Sequence, residues 1–415
     1  MGRRRYLGLA LTLLLTACTQ ALGAPAPSLD LGVLLPLHGD MASLGQEEQH
    51  GIDIAVDTVN ASGGVGGRQV RLLVRDVTTR EAAAAAAHSL RATGAPLVLG
   101  SYSSLLSIAA AHATAAEGMV YWETGAVADL VTGQGLPLVF RVGANGTNLG
   151  RGSATFAAEE LAPRLGRDVS RLRLLVVEEH DPYGDSVGGA ALAEAGRRGM
   201  QVFGPINYDA GRPDWDRVLA GVEAVHPDVL VLASYIPDGI SFRRAMLARG
   251  VHVGALIGST MAECGPDFGQ ALGADAVGVF ASDRPTRGFN PGALTPEGVA
   301  AYNILATAYR AHYRREPGEE AISGFSSAWA LLREVLPRAH AFDAASIAAA
   351  ARTVDLPEGS LANGAGLKFS TAADDLGQNL RAASVVWQWQ APYHSVTVWP
   401  PVFATGSVAM VPLPR

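Results

Sequence analysis

Three stretches carry side chains able to hold or transform a small molecule, and each follows an apolar run. Ser101-Tyr102-Ser103-Ser104 closes the run Leu97–Gly100 and opens a helical pattern. A serine there can cap the helix. The same geometry offers hydroxyls and free backbone N–H groups at the positive end of a helix dipole, a site for a carboxylate. Tyr121-Trp122-Glu123-Thr124-Gly125-Ala126 ends another run. Its aromatic rings could be core and Glu123 an exposed loop acid, or Glu123 could line a pocket as the one carboxylate there. Glu178-Glu179-His180-Asp181 follows Leu172–Val177 and alone hints at a metal. Adjacent residues seldom converge on one ion and no second cluster completes a set, so a solvated loop facing a cleft is the expectation, with no metal.

No catalytic motif accompanies these groups. The glycines of Gly63-Gly64-Val65-Gly66-Gly67 lack the dinucleotide spacing, and they follow a helix and precede a strand, the reverse of that loop. There is no phosphate-cradling P-loop and no His-Glu-x-x-His. Gly324-Phe325-Ser326-Ser327-Ala328 misses the nucleophile-elbow pattern at its last position and lies in a helical stretch. The expectation is a protein that is not an enzyme and carries no cofactor.

The elements that must position these residues alternate. Apolar runs at Leu29–Leu35, Val70–Val74, Leu97–Gly100 and Met119–Trp122 read as strands; Glu47–Asn60, Glu81–Ala92 and Ser104–Glu117 have helical spacing. The alternation predicts a parallel sheet with helices on both faces. It restarts after Phe140, with helices at Thr147–Ala162, Tyr183–Arg198, Trp215–Val225 and Ile240–Arg249. Strands fall at Leu172–Val177, Val202–Tyr208, Val229–Ala233 and Ala255–Gly258. Two similar lobes follow. Pro296–Ala339 is mostly helical with a break at Pro317-Gly318, Ala344–Arg352 is a further helix, and Ala382–Gln390 and Ser395–Trp399 are β-like.

The chain has 415 residues, 48% hydrophobic and 17% charged, with a net charge of −7 and two cysteines. That composition supports a sizeable core and offers no basic field for nucleic acid. Arg3, Arg4 and Arg5 precede the apolar run Leu7–Leu15, which is too short to span a bilayer, and Leu15-Thr16-Ala17-Cys18 ends in small residues and cysteine. Residues 1–17 therefore read as a secretory signal peptide. Leu-Thr-Ala-Cys resembles the bacterial lipobox, which implies lipidation of Cys18. Residues 18–28 then form a Pro-rich tether, and the only membrane attachment is the lipid. Cys264 reads as a small buried hydrophobe without a disulfide partner.

Four stretches together resemble the leucine/isoleucine/valine-binding family of type I periplasmic solute-binding proteins. They are Gly32–Gly39 continuing through Gly45, Gly51, Asn60, Gly63-Gly64 and Gly67 to Asp76; Gly100–Ser104 with Gly118–Thr132 and Phe140-Arg141; Asp181-Pro182-Tyr183-Gly184; and Val385–Gln390 with Val398-Trp399-Pro400. The resemblance implies two Rossmann-like α/β lobes, parallel sheets flanked by helices, joined by three hinge crossovers near Arg141–Gly146, Ala281–Pro285 and Leu376–Arg381. Residues 29–143 plus 282–378 would form lobe 1, and 144–281 plus 379–415 lobe 2.

It also implies a ligand pocket on Ser103, Ser104, Gly125, Ala126 and Val127 in one lobe. Tyr183, Tyr235 and Thr260 or Met261 fall on it in the other. The serine would hold a carboxylate and Tyr183 would cover the ligand. As a cleft residue Tyr183 is expected to carry little core, so that Tyr183→Ala spares the fold. The chain departs from the amino-acid binders at three places. Val127 stands where they carry threonine, Thr260 stands near their ammonium-holding acid, and Leu44 replaces a frequent aromatic. Fold and role therefore transfer better than ligand. The solute is an apolar amino acid, a related amide, or an aromatic or aliphatic carboxylate. The expected role is solute capture for an ABC importer, with permease subunits as partners. The alternatives are a sensing module of the same fold, or a secreted metal-assisted hydrolase using Glu178–Asp181.

Overall fold

The computed structural model describes residues 28–209, 211–259, 262, 263, 265–285 and 288–415. Cys18, the signal region, Thr260, Met261 and Cys264 lie outside them. Sheet one holds β1 (Leu29–Leu35), β2 (Val70–Asp76), β3 (Leu97–Gly100), β4 (Val120–Glu123) and β5 (Val139–Arg141) in the order β2-β1-β3-β4-β5, all parallel. Their connections include α1 (Ala42–Ala61), α2 (Arg80–Ala92) and α3 (Ser104–Ala116). β3 and β4 are buried along their whole length, as strands covered on both faces must be. Edge strand β2 is mostly half-exposed.

The second half begins with α4 (Gly146–Phe156), extended by a π-helical turn (Ala157–Leu161) and α5 (Ala162–Arg164). Then come β6 (Arg173–Glu179), α6 (Pro182–Arg197), β7 (Gln201–Tyr208), α7 (Trp215–Val225), β8 (Val229–Ala233), α8 (Ile236–Arg249), β9 (Ala255–Ser259), α9 (Gly265–Leu272) and β10 (Phe280–Asp283). Sheet two runs β12-β11-β10-β9-β8-β6-β7. It is parallel from β10 to β7 and antiparallel through β11 (Val385–Ala391) and β12 (His394–Trp399). Helices α10 (Pro296–Tyr313), α11 (Glu319–Trp329) and α12 (Ala344–Thr353) return to sheet one. There α11 packs on α1, and Trp122 on β4 donates to Ser327 O at 3.0 Å.

Short polar residues start these helices where the sequence has them. Thr79, Asp181, Asp214, Thr295 and Asp343 each accept a first-turn N–H. α8 begins four residues before the expected start because Pro237 is tolerated in a first turn. Two short strands, β5 and β10, carry too few residues to produce a periodic signal. β10 takes Ser282 and Asp283 into sheet two, so the second crossover follows Asp283, within the expected stretch Ala281–Pro285.

The chain passes between the sheets between Arg141 and Gly146, after Asp283, and between Asn379 and Val385. The first and third passages are bonded together. Arg141 N donates to Gly377 O and Asn379 N to Arg141 O, each at 3.0 Å. The Arg141 side chain, 1% exposed, donates to Gln378 Oε1 (2.7 Å) and Ala128 O (2.6 Å).

Candidate functional site

In each sheet the winding order reverses between two paired strands, β1 and β3 in sheet one and β6 and β8 in sheet two. Ligands of open parallel sheets sit beyond the carboxyl ends of strands at such points. The two ends face each other around a partly open cavity of about 20 Å³. Lobe one contributes Met41, Tyr102, Ser103, Ser104, Gly125 and Val127, and lobe two Tyr183 and Tyr235. Arg284, just past β10, completes the wall. That is well below the volume of a ligand pocket.

Of the residues expected here, the structure brings together Ser103, Ser104, Gly125, Val127, Tyr183 and Tyr235. Thr260 and Met261 lie outside the described residues. Glu123 does not line the cavity. It is fully buried, and Oε1 accepts the backbone N–H groups of Thr124 (2.9 Å), Gly125 (2.7 Å) and Ala126 (2.6 Å). Its other oxygen accepts the Tyr121 hydroxyl at 2.9 Å. Three amides converging on one carboxylate shape the loop after β4, so Glu123 builds the site rather than meeting the solute. Ala126 turns its methyl into the core beside Val131 and Ala128.

Met41, Tyr102 and Arg284 escaped the sequence reading. Arg284 follows a strand too short to recognise, and the adjacent charged pair Asp283-Arg284 after the apolar run Val277–Ala281 was the available signal. Its guanidinium is 4% exposed. Nε donates to Glu319 Oε1 (2.7 Å) and Nη1 to Gly125 O (2.5 Å), and Nη2 is 2.5 Å from Glu319 Oε1. It thus ties the second crossover to α11 and to the loop after β4. Tyr102 takes a positive φ of 70° and donates to Glu320 Oε1 at 3.2 Å. Burial, reinforced by Glu319, raises the Glu320 carboxyl above its ordinary value. Burial and the Glu123 charge raise Glu48 further.

Ser103 is the N-cap of α3 yet makes no side-chain capping bond, and Ser104 Oγ accepts the Ala128 N–H at 3.1 Å. The first-turn N–H groups of a helix have no intrahelical partner. Across the cavity Tyr183 is 1% exposed, not a lightly packed cleft residue: its hydroxyl donates to Ser259 O at 2.5 Å. The Tyr183 and Tyr235 rings pack at 5.0 Å, and Tyr235 donates to Asp181 Oδ2 at 2.9 Å.

Glu178 and Glu179 are not in a solvated loop. They end β6, 3% and 7% exposed, while His180 is exposed and Asp181 caps α6. Among the described residues no three His, Cys, Asp or Glu are grouped to hold a metal. Burial, then the Asp185 and Asp181 charges, raises Glu178 to about 7; burial, then Asp181 and Asp238, raises Glu179 to about 8. Between about pH 4.5 and 8 the native state holds protons that the unfolded chain has released, so stability falls as pH rises. Urea unfolding is expected to show a lower midpoint at pH 8.5 than at 5.5, with Glu179→Gln removing part of the difference. An unchanged slope in the variant would show that Glu179 does not carry it.

Two parallel-sheet lobes closing on a small cavity at their strand ends define a two-lobed α/β binding protein of the type I periplasmic class. The periplasmic binding protein family model matches residues 28–386, and the chain belongs to this family. It is 32% identical over 397 residues to a Brucella suis protein named Leu/Ile/Val-binding protein homolog 8, covering 95% of this chain and 94% of that protein. A leucine-binding protein of Thermotoga maritima shares the fold at a TM-score of 0.74 and 21% identity, covering 89% of this chain and 98% of that one. So does a solute-binding protein of R. palustris solved with benzoate, at 0.71 and 19%, covering 92% and 98%.

Proposed function

We propose that this chain is the exported solute-binding subunit of an ABC importer, anchored by lipid on Cys18 and without catalytic activity. It captures a small amino-acid-like, amide or carboxylate solute between the lobe built on sheet one and the lobe built on sheet two. The observation that carries the reading is the small cavity walled by both lobes at their strand ends. Family membership and the names of the relatives support it. Solute contacts present only when the lobes meet stabilise the closed form, and differential affinity for that form shifts the population toward it. The closed form then docks on the permease.

A thermal-shift screen of the chain from Ser28 onward, against amino acids, amides and small organic acids, tests the function. A solute that binds only the folded state raises the midpoint by mass action. A saturable shift is expected from at least one class, and no shift from any class counts against a solute-binding role. Cys18→Ser is expected to move the protein from the membrane fraction to the soluble exported fraction. Retention on the membrane would rule out the lipid anchor.

A further inference from the structure

A set of polar contacts joins the lobes beside the cavity. It centres on Asp129, which opens the 3-10 turn Asp129–Val131 between β4 and β5 and so belongs to sheet one. Its carboxylate faces the start of α4, on the side of sheet two. Oδ1 accepts the Thr147 N–H at 3.0 Å and Oδ2 accepts the Thr147 hydroxyl at 2.6 Å. The Asp129 N–H donates to Ser186 Oγ on α6 at 3.0 Å. Two residues earlier, Val127 O accepts the Gly146 N–H at 2.6 Å. One short segment of sheet one is thus bonded to two helices of sheet two.

Each group fits its partner. The first-turn N–H groups of a helix lack intrahelical acceptors. In α4 the Asn145 side chain serves the Asn148 N–H, and the Thr147 N–H goes to Asp129. An acid there also faces the positive end of the α4 dipole, and a bond to a charged acceptor is stronger than a neutral one. Ser186 gives its only proton to Pro182 O at 2.6 Å, so its oxygen meets Asp129 as an acceptor. Gly146 lets the two helices come this close, since a Cβ there would lie 2.4 Å from Ser186 Cβ. The turn is held on either side of Asp129 by Arg141, at the first crossover, which donates to Ala128 O (2.6 Å) and Thr132 Oγ1 (3.1 Å). Asp129, Thr147 and Ser186 do not line the cavity, but Val127 and Tyr183, close by in the same segments, do.

We infer that Asp129 is a clasp that holds the two lobes closed, a positioning residue for solute capture that itself touches no solute. The inference rests on the two-lobed capture proposed above and adds a group that stabilises its closed form. Asp129 is carried by sheet one and its partners by helices of sheet two, so swinging α6 away from sheet one parts Ser186 from Asp129 and draws α4 off its acid. The bonds then stabilise the closed form alone, because water takes their place in the open one. Apparent affinity scales with the fraction of protein in the binding-competent form, so a group off the cavity wall sets part of the affinity. A hydrogen bond to a charged group contributes roughly tenfold or more to such an equilibrium.

Small-angle X-ray scattering of the solute-free chain from Ser28 onward tests the clasp without a solute. Asp129→Ala is expected to shift the radius of gyration above that of the wild type, with circular dichroism showing an unchanged fold. Thr147→Val, which loses the hydroxyl bond and keeps the shape, is expected to shift it in the same direction, and Thr147→Ser to restore the wild-type value. An Asp129→Ala protein as compact as the wild type overturns the inference. So does a Thr147→Ser protein as expanded as Thr147→Val, since the hydroxyl would then carry nothing. If Asp129→Ala does not fold, Ser186→Ala combined with Thr147→Val decides the matter by the same readout. Calorimetric titration uses leucine and benzoate as probes. Whichever binds the wild type is expected to bind Asp129→Ala at least about tenfold more weakly, and equal affinity overturns the inference. If no compound of the wider screen binds, the solute-binding reading falls and the scattering alone decides the clasp.

Discussion

Replacing Arg284 with methionine is expected to cost about 3–5 kcal/mol of folding stability, the price of stranding a buried acid. Arg284 and Glu319 are 4% and 7% exposed, and Glu319 Oε2 already lacks a partner. Without the guanidinium, Glu319 is left unneutralised beside Glu320. Gly125 O loses its donor at the same time. The double variant Arg284→Met, Glu319→Leu is expected to recover most of the loss, because two apolar side chains leave no uncompensated charge. Urea unfolding of the wild type and both variants measures this directly. A single variant within about 1 kcal/mol of wild type would mean that the pair does not hold the second crossover to α11.

Tyr183→Ala is expected to destabilise the protein by about 3–5 kcal/mol as well as to weaken solute binding. The ring belongs to the main core cluster beside Val187 and Tyr208, packs on Tyr235, and is also part of the cavity wall. Removing it opens a hole that the α6 backbone cannot collapse into, since Gly184 is seated against the Glu179 carbonyl. Tyr183→Phe keeps the ring and loses the hydroxyl with its hydrogen bonds to Ser259 O and Ser234 O, at a cost of about 1–3 kcal/mol. Unfolding and titration on both variants separate the two roles. If Tyr183→Ala keeps wild-type stability, the residue is not core. If Tyr183→Phe loses binding as fully as alanine does, the hydroxyl rather than the ring serves the solute.

Much of the fold was legible because its signals are local. Apolar runs such as Leu172–Val177 and Val229–Ala233, alternating with helical patterns, read as strands buried on both faces. Helical spacing placed α2, α6 and α12 within a few residues of their observed starts, where Thr79, Asp181 and Asp343 cap them. Ser103 and Ser104 were legible as cavity residues because they follow a strand end, where parallel sheets expose their ligand positions, whereas Tyr183 came from the resemblance. β5 and β10 were not: three or four residues cannot display a period, and pairing with long neighbours is what makes them strands.

By itself the sequence determined the alternation of strands and helices, the two-lobed arrangement and the strand ends on which a site could form. These follow from apolar periodicity and capping, which act over a few residues. Only the tertiary structure decided which polar groups remain available to a solute. Glu123 reads as either an exposed loop acid or a pocket acid until three neighbouring amides are seen to consume one of its oxygens. Arg284 reads as one charge among many until it is found bonded to Glu319, 35 residues away, and to Gly125, 159 residues away. Burial makes each such pairing compulsory, because an unpaired charge in the interior is far costlier than one in water. The identities of the partners depend on which distant segments the fold brings together.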